Sequence, residues 1–353
     1  MNDSVILIAG RFQPTIEEIN FISGERSIMT HYWLDVNHLV AVKVDPIDRN
    51  DEDIYKWKIW IPCGFTGHTV NGERSKETIL IIQKHRETGE ISVKKGPPMP
   101  QPRGACNARL LHLKGKGHPG YVCVFAGSDG SHKRGRYSAN IDCYDRVQKV
   151  WIGLTPTPKK LDHHSMADIP RVKCPDGSTI GPSLFIFNGR TKSYGNVIPE
   201  VYSLDLPNED DSITADELLR LHQQANWGLF TLDPVPRDAA ASVVSHDGRY
   251  IILLGGIHHH TKDGYEQNFM RAIRVLDLCQ KKWYTSRRRL YIPRFAVQAC
   301  IHPRFPLICG GTYLPNRHAA NESEPEEKIN AKENLASCEL LETERILEEL
   351  IEM

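Results

Sequence analysis

The chain has 353 residues, and Lys plus Arg equals Asp plus Glu at 44 each, so no net field draws it to nucleic acid or to an anionic membrane. Hydrophobic residues make up 40%, and the 22 Pro and 26 Gly suit a soluble protein of short strands and many turns. No stretch approaches the roughly 18 apolar residues of a membrane span, and the opening MNDSVILIAGRF reads as a strand rather than a signal peptide.

The first hundred residues are the least regular. SVILIAGRF reads as a strand ended by glycine, HLVAVKVDP as an acidic-ended strand, and IYKWKIWI as a tryptophan strand, while ETILIIQ and EISVKK form a hairpin across Glu87–Glu90. Two blades of sheet are expected here. A clearer set of four strands runs from Ala105 to Leu154: ACNARLLHL, GYVCVFAG, SANIDCYD and KVWIGL. The next set reads PSLFIFNGR, VIPEVYSLDL and NWGLFTL. Before its last strand, Thr214 and Glu217 have the spacing of a capping box ahead of Leu218, Leu219 and Leu221, which predicts a short helical insertion near 214–224. AAASVVSHD, YIILLGG, AIRVLDLC and KWYTS make a third set; FAVQACIHP, FPLICGG and LASCELLE make a fourth. Residues 321–334 are charged and read as a disordered loop. Residues 343–353 are helical in propensity and read as a tail or as a segment that closes a blade.

The sets recur. Gly127, Gly189, Gly255 and Gly310 end successive strands, with Gly256 and Gly311 doubling the last two. Tyr144, Tyr202 and Leu276 lie on the following strands, and Trp151, Trp227 and Trp283 on the strands after those. Pro-Arg pairs close the pattern at Arg103, Arg171, Arg237 and Arg294. A unit repeated at this period buries its apolar face only against its neighbours. Glycine lets the backbone turn sharply beside a neighbouring sheet, and tryptophan covers a large apolar gap.

At VFAG, FNGR, LLGG and CGG, at DCYDRVQKVW, VYSLDL and VLDLCQKKW, and at PMPQPR, DIPR, PVPR and YIPR, the chain resembles the kelch-repeat β-propeller family, within the superfamily of the galactose oxidase-type central domain. The resemblance implies an all-β fold: a single propeller domain over 1–353 built of four-stranded antiparallel blades, with six blades favoured and five next. It also implies that the four arginines, whose forked guanidinium groups suit carboxylates and peptide carbonyls, line a rim that binds a partner. The alternative is that each arginine packs locally and ties down a turn between blades.

Other candidates are weaker. His258, His259 and His260 are consecutive, so they cannot all face one ion, and they read as a solvated loop; Arg287, Arg288 and Arg289 read as a solvated turn. The nine cysteines are scattered and odd in number. Cys123, Cys143 and Cys309 lie in apolar runs and read as buried thiols of a reducing compartment, and the lack of a CxxC pair argues against zinc. No catalytic residue, metal site or cofactor is assigned. The expectation is a monomeric, non-enzymatic cytoplasmic scaffold or substrate adaptor, with the nucleus as the alternative location. Its partner would be another protein rather than nucleic acid or membrane. The rival is a propeller enzyme such as a sugar mutarotase or a metal-dependent oxidase.

Overall fold

Apolar β-branched and aromatic runs bounded by Gly, Pro, Asn and Asp form strands throughout, as their composition requires. The computed structural model describes residues 4–8, 15–20, 23, 25–31, 36–66, 74–75, 78–115, 117–129, 136–191, 196–207, 213–260, 266–295, 298–300, 307–309, 312–313, 333–334 and 338–352. Contacts divide the chain into two compact units, one of Met1–His163, Thr191–Ser193 and Leu204–Gly228, the other of His164–Arg190, Tyr194–Ser203 and Leu229–Met353.

Strands β1 (Ser4–Ile8), β2 (Thr15–Asn20) and β3 (Arg26–His31) form a three-stranded antiparallel sheet. The second sheet holds β4 (Asn37–Val44), β5 (Tyr55–Thr66), β7 (Thr78–His85) and β8 (Ile91–Pro98) in that order. Helix α1 (Arg49–Ile54) precedes β5, and β6 (Arg74–Ser75) pairs with its end. The third sheet is β9 (Asn107–Leu111), β10 (Tyr121–Phe125), β11 (Ile141–Asp145) and β12 (Val150–Leu154), each strand paired with the next. The fourth is β13 (Ser165–Ile169), β16 (Ser183–Phe187), β17 (Glu200–Asp205) and β18 (Trp227–Leu232). A hairpin of β14 (Val172–Lys173) and β15 (Thr179–Ile180) interrupts it, and helix α2 (Ala215–Gln224) lies before its last strand.

The fifth sheet joins β19 (Ala241–Val244), β20 (Tyr250–Leu254), β23 (Ala272–Asp277) and β24 (Lys282–Arg289), with a hairpin of β21 (Ile257–His260) and β22 (Glu266–Phe269) beyond its second strand. The sixth has three strands, β25 (Gln298–Cys300), β26 (Leu307–Cys309) and β29 (Cys338–Leu340), beside a small hairpin of β27 (Thr312–Tyr313) and β28 (Glu333–Asn334). Helix α3 (Thr343–Glu348) then leads to β30 (Leu350–Glu352), which adds to β24 as a fifth strand.

All-β architecture with few helices and antiparallel pairing is therefore as expected, and α2 lies where the capping spacing placed it, with the Thr214 side chain accepting from the Glu217 N–H. The blade count is not. Among the described residues four sheets carry four or five strands and two carry three, so four complete blades stand where six were expected. The end of the chain accounts for part of the difference, because β30 extends the fifth sheet instead of completing another.

Cores form where two apolar faces meet. In the first unit Val40, Val42, Trp60, Ile79, Val122, Val124 and Tyr144 are buried together; in the second, Phe185, Phe187, Ile251, Leu253, Leu276 and Trp283 are. The seven-residue spacing from aromatic position to tryptophan is a tight hairpin: Tyr144 lies opposite Trp151, and Leu276 opposite Trp283. In both turns an aspartate at the strand end, Asp145 or Asp277, accepts the N–H groups two and three residues on. Lys149 and Lys281 then take the left-handed conformation, at φ 59° and 54°, that returns the chain.

Several local expectations change. The glycine-ended strand of the second sheet is β5, through Cys63-Gly64, and HLVAVKVDP is the strand that begins that sheet. His258–His260 lie in β21 rather than a loop, and Arg287–Arg289 lie in β24 rather than a turn. Of the loop expected at 321–334, residues 321–332 lie outside the described residues, as do Gly310 and Gly311, while Glu333 and Asn334 form β28. Cysteines are the largest correction. Disulfides join Cys63 to Cys106, Cys123 to Cys143 and Cys174 to Cys279, and Cys309 is disulfide-bonded as well. Cys123 and Cys143 lie directly opposite on β10 and β11, a pairing that neighbouring residues along the chain do not reveal.

Candidate functional site

The recurring arginine precedes the first strand of a sheet by four residues. Arg103 stands before Asn107, Arg237 before Ala241 and Arg294 before Gln298. Two residues after the arginine the backbone is left-handed, with φ 48° at Ala105 and 52° at Ala239; His163 repeats this at 51°. The carbonyl at the arginine position accepts from a glycine in or just after the second strand of the preceding sheet: Gly64 N–H to Arg103 at 3.3 Å and Gly256 N–H to Arg294 at 2.8 Å. In the fourth sheet the residue at this position is Leu161, which accepts from Gly127 at 2.6 Å and is itself buried, four residues before β13. Arg171 follows β13 and is exposed. It matches the Pro-Arg pairs by letter and not by place.

Arg103, Arg237 and Arg294 are 1%, 0% and 0% exposed, so they do not form an accessible rim. Arg103 donates to the Val124 carbonyl of β10 at 3.0 Å and lies 2.7 Å from the Asp142 carboxylate of β11, an ion pair without an aligned hydrogen bond. Arg294 pairs with Glu339 of β29 at 2.7 Å, and the same carboxylate accepts the N–H groups of Tyr291 and Ile292. Arg237 donates through Nη1 to the carbonyls of Gly255 and Ala272, at 3.0 and 2.9 Å. Each guanidinium thus holds the entry to a first strand against later strands of its own sheet, which is the local-packing alternative.

Burial lowers the proton affinity of two of these groups. Desolvation depresses Arg103 despite the opposing pull of Asp142. It takes Arg237 to about 10, with Asp233 opposing that fall and Arg274 adding to it. Both remain cations at neutral pH. Asp142, Glu339 and Arg274, the third-strand residues of these contacts, escaped the sequence reading. Strand register, which repeat spacing does not reveal, is what brings them opposite the second strands.

The structural residues take the roles that packing predicts. Trp151 donates its indole N–H to the Pro98 carbonyl at 2.9 Å, and its ring lies 5.2 Å from that of Tyr144. Trp283 is 5% exposed with the Arg274 guanidinium 5.3 Å over its ring. Trp227 and Tyr202 are half-buried on β18 and β17. Gly127 and Gly189 have φ 102° and 87°.

The polar cluster at Ser128, Asp162 and His163 does not have the order of an activated nucleophile. Ser128 donates to Asp162 at 2.9 Å, and Asp162 lies 3.0 Å from His163, so the acid stands between hydroxyl and imidazole; activation requires the imidazole next to the hydroxyl. No group of three or more His, Cys, Asp or Glu suited to a metal occurs among the described residues.

No family model and no curated protein matches the chain. Solved structures do. The structure of YjhT, a β-propeller, superimposes with a TM-score of 0.65 at 11% identity, covering 100% of this chain and 95% of that one. The chain is a β-propeller.

Proposed function

We propose that this propeller is a kelch-like, non-enzymatic module that binds another protein through an extended segment of that partner. The observation that carries this reading is the outer edge of β18. Leu229 and Leu232 are 61% and 55% exposed there, and no described strand pairs with that edge. Two other outer strands are covered: β12 receives α2, through Thr155 Oγ1 to the Gln223 carbonyl, and β24 receives β30. An uncovered apolar edge is a template for strand addition, in which main-chain hydrogen bonds supply affinity and side-chain contacts supply choice. With Arg103, Arg237 and Arg294 withdrawn, β18 replaces them as the partner-facing feature. The disulfides favour an oxidising compartment over the cytosol.

A photo-crosslinking residue placed at Leu229 tests the reading in cells that make the protein. A discrete adduct with another protein is expected at this position and absent from the exposed turn residue Asp176. Equal labelling at both positions would remove the edge as a binding site. Stoichiometric copper or iron in the purified protein would favour the enzyme reading instead.

A further inference from the structure

Three sheets can be registered on the second strand that ends before glycine. The third-strand residue opposite its penultimate position is Asp142, opposite Val124, in the third sheet, and Glu339, opposite Ile308, in the sixth. Each of these carboxylates lies 2.7 Å from the arginine that precedes its sheet. In the fifth sheet the residue opposite Leu253 is Arg274. The position that twice supplies a counter-charge here supplies a second cation, 2% exposed, beside the fully buried Arg237.

One carboxylate serves both. Asp233, 1% exposed, lies 3.1 Å from Arg274 and spends the same oxygen on the Val235 N–H. The face of Trp283 offers Arg274 a further weak attraction. Nε and Nη2 of Arg237 and Nε of Arg274 have no hydrogen-bond partner, against one unpartnered acceptor, Oδ2 of Asp233. Among the described residues the cluster is therefore one positive charge and two donors in surplus. Bridging water would satisfy donors without touching the charge, and a buried charge left uncompensated is strongly destabilising. A small anion answers both.

We propose that the Arg237–Arg274 cluster is a binding site for a monatomic anion, chloride under physiological conditions. Size selects the ligand. The guanidinium atoms that lack partners are closed to water-sized contact, so side chains have to move apart to admit even a halide, and carboxylate or phosphate would demand far more. Charge sets the stoichiometry at one ion. The inference is independent of any partner at β18.

The test compares thermal melting of the full chain in sodium chloride and in sodium gluconate at equal ionic strength. A ligand that binds only the folded state stabilises in a saturable way, so Tm should rise with chloride and level off, while gluconate gives a flat response. Arg274→Glu restores the carboxylate found in the other two sheets, and its melting should be the same in both salts. Bromide anomalous scattering from crystals locates the ion without any variant, with a peak expected beside Arg237 Nη2. Equal melting of the native chain in the two salts would overturn the proposal, as would an undiminished chloride response in a folded Arg274→Glu variant. Should that variant not fold, the absence of a bromide peak at Arg237 does so alone.

Discussion

At the scale of single residues the repeat is a set of backbone conformations, and side-chain identity follows them loosely. In the third, fourth and fifth sheets the two residues after the second strand are both left-handed: Ala126 and Gly127, Asn188 and Gly189, Gly255 and Gly256. The missing double glycines at Ala126 and Asn188 are therefore substitutions within one geometry rather than departures from it. Alanine at that position is tolerated in the third sheet, but the fifth should refuse it. A Cβ on Gly255 would lie 2.4 Å from the Arg294 carbonyl oxygen, on a backbone at φ +69°. Left-handed strain alone costs roughly 1–2 kcal/mol, and backbone on the far side cannot swing away. Gly255→Ala is expected to destabilise by at least about 2 kcal/mol, read as a lower denaturant midpoint at unchanged slope. The arginines show the limit of reading by letters. Pro170-Arg171 looks like its three counterparts in sequence, yet Leu161 holds the equivalent place, because four residues to the next strand, not the Pro-Arg pair, define it.

Elements were legible wherever a local signal sufficed. Alternation and glycine located most strands from β9 onward, and a capping pair located α2. What stayed hidden depends on distant partners. β30 is three residues long and forms because α3 seats Ile346, 2% exposed, in the core of the fifth sheet and delivers the chain to β24. The same dependence gives α2 a testable pH response. His222 is 6% exposed on this helix, and burial depresses its imidazole from 6.5 to about 4. As pH falls the unfolded chain takes up the proton first, so the contribution is complete above about pH 6.5 and is lost as pH falls toward 4. Between pH 7 and pH 4.5 the melting temperature of the native chain should fall more steeply than that of His222→Gln. Parallel slopes would mean that His222 stays exposed to solvent protons in the folded state.

On the scale of the whole chain, composition and recurrence were enough for an all-β repeat array and the family resemblance for a propeller, while blade number and covalent links were not legible. Cysteine illustrates why. Cys123 sits in YVCVF and Cys143 in IDCYD, both fully buried, and a buried thiol packs as an apolar group would. Only the register of β10 against β11 brings the two sulfurs together. Cys174 and Cys279 are 105 residues apart and need the fold of the second unit to meet. The consequence can be measured without knowing any partner. Three disulfides hold six of the nine cysteines and the bond at Cys309 takes two more, so no more than one should react with a thiol reagent when the unreduced protein is unfolded, against nine after reduction. Closing the long loop between Cys174 and Cys279 is worth on the order of 4 kcal/mol in the chain-entropy account. Reduction should accordingly lower the melting temperature, and replacing that pair by serine should reproduce much of the loss. Nine reactive thiols in protein isolated under non-reducing conditions would return the chain to a reducing compartment, and the proposed partner search with it to the cytosol.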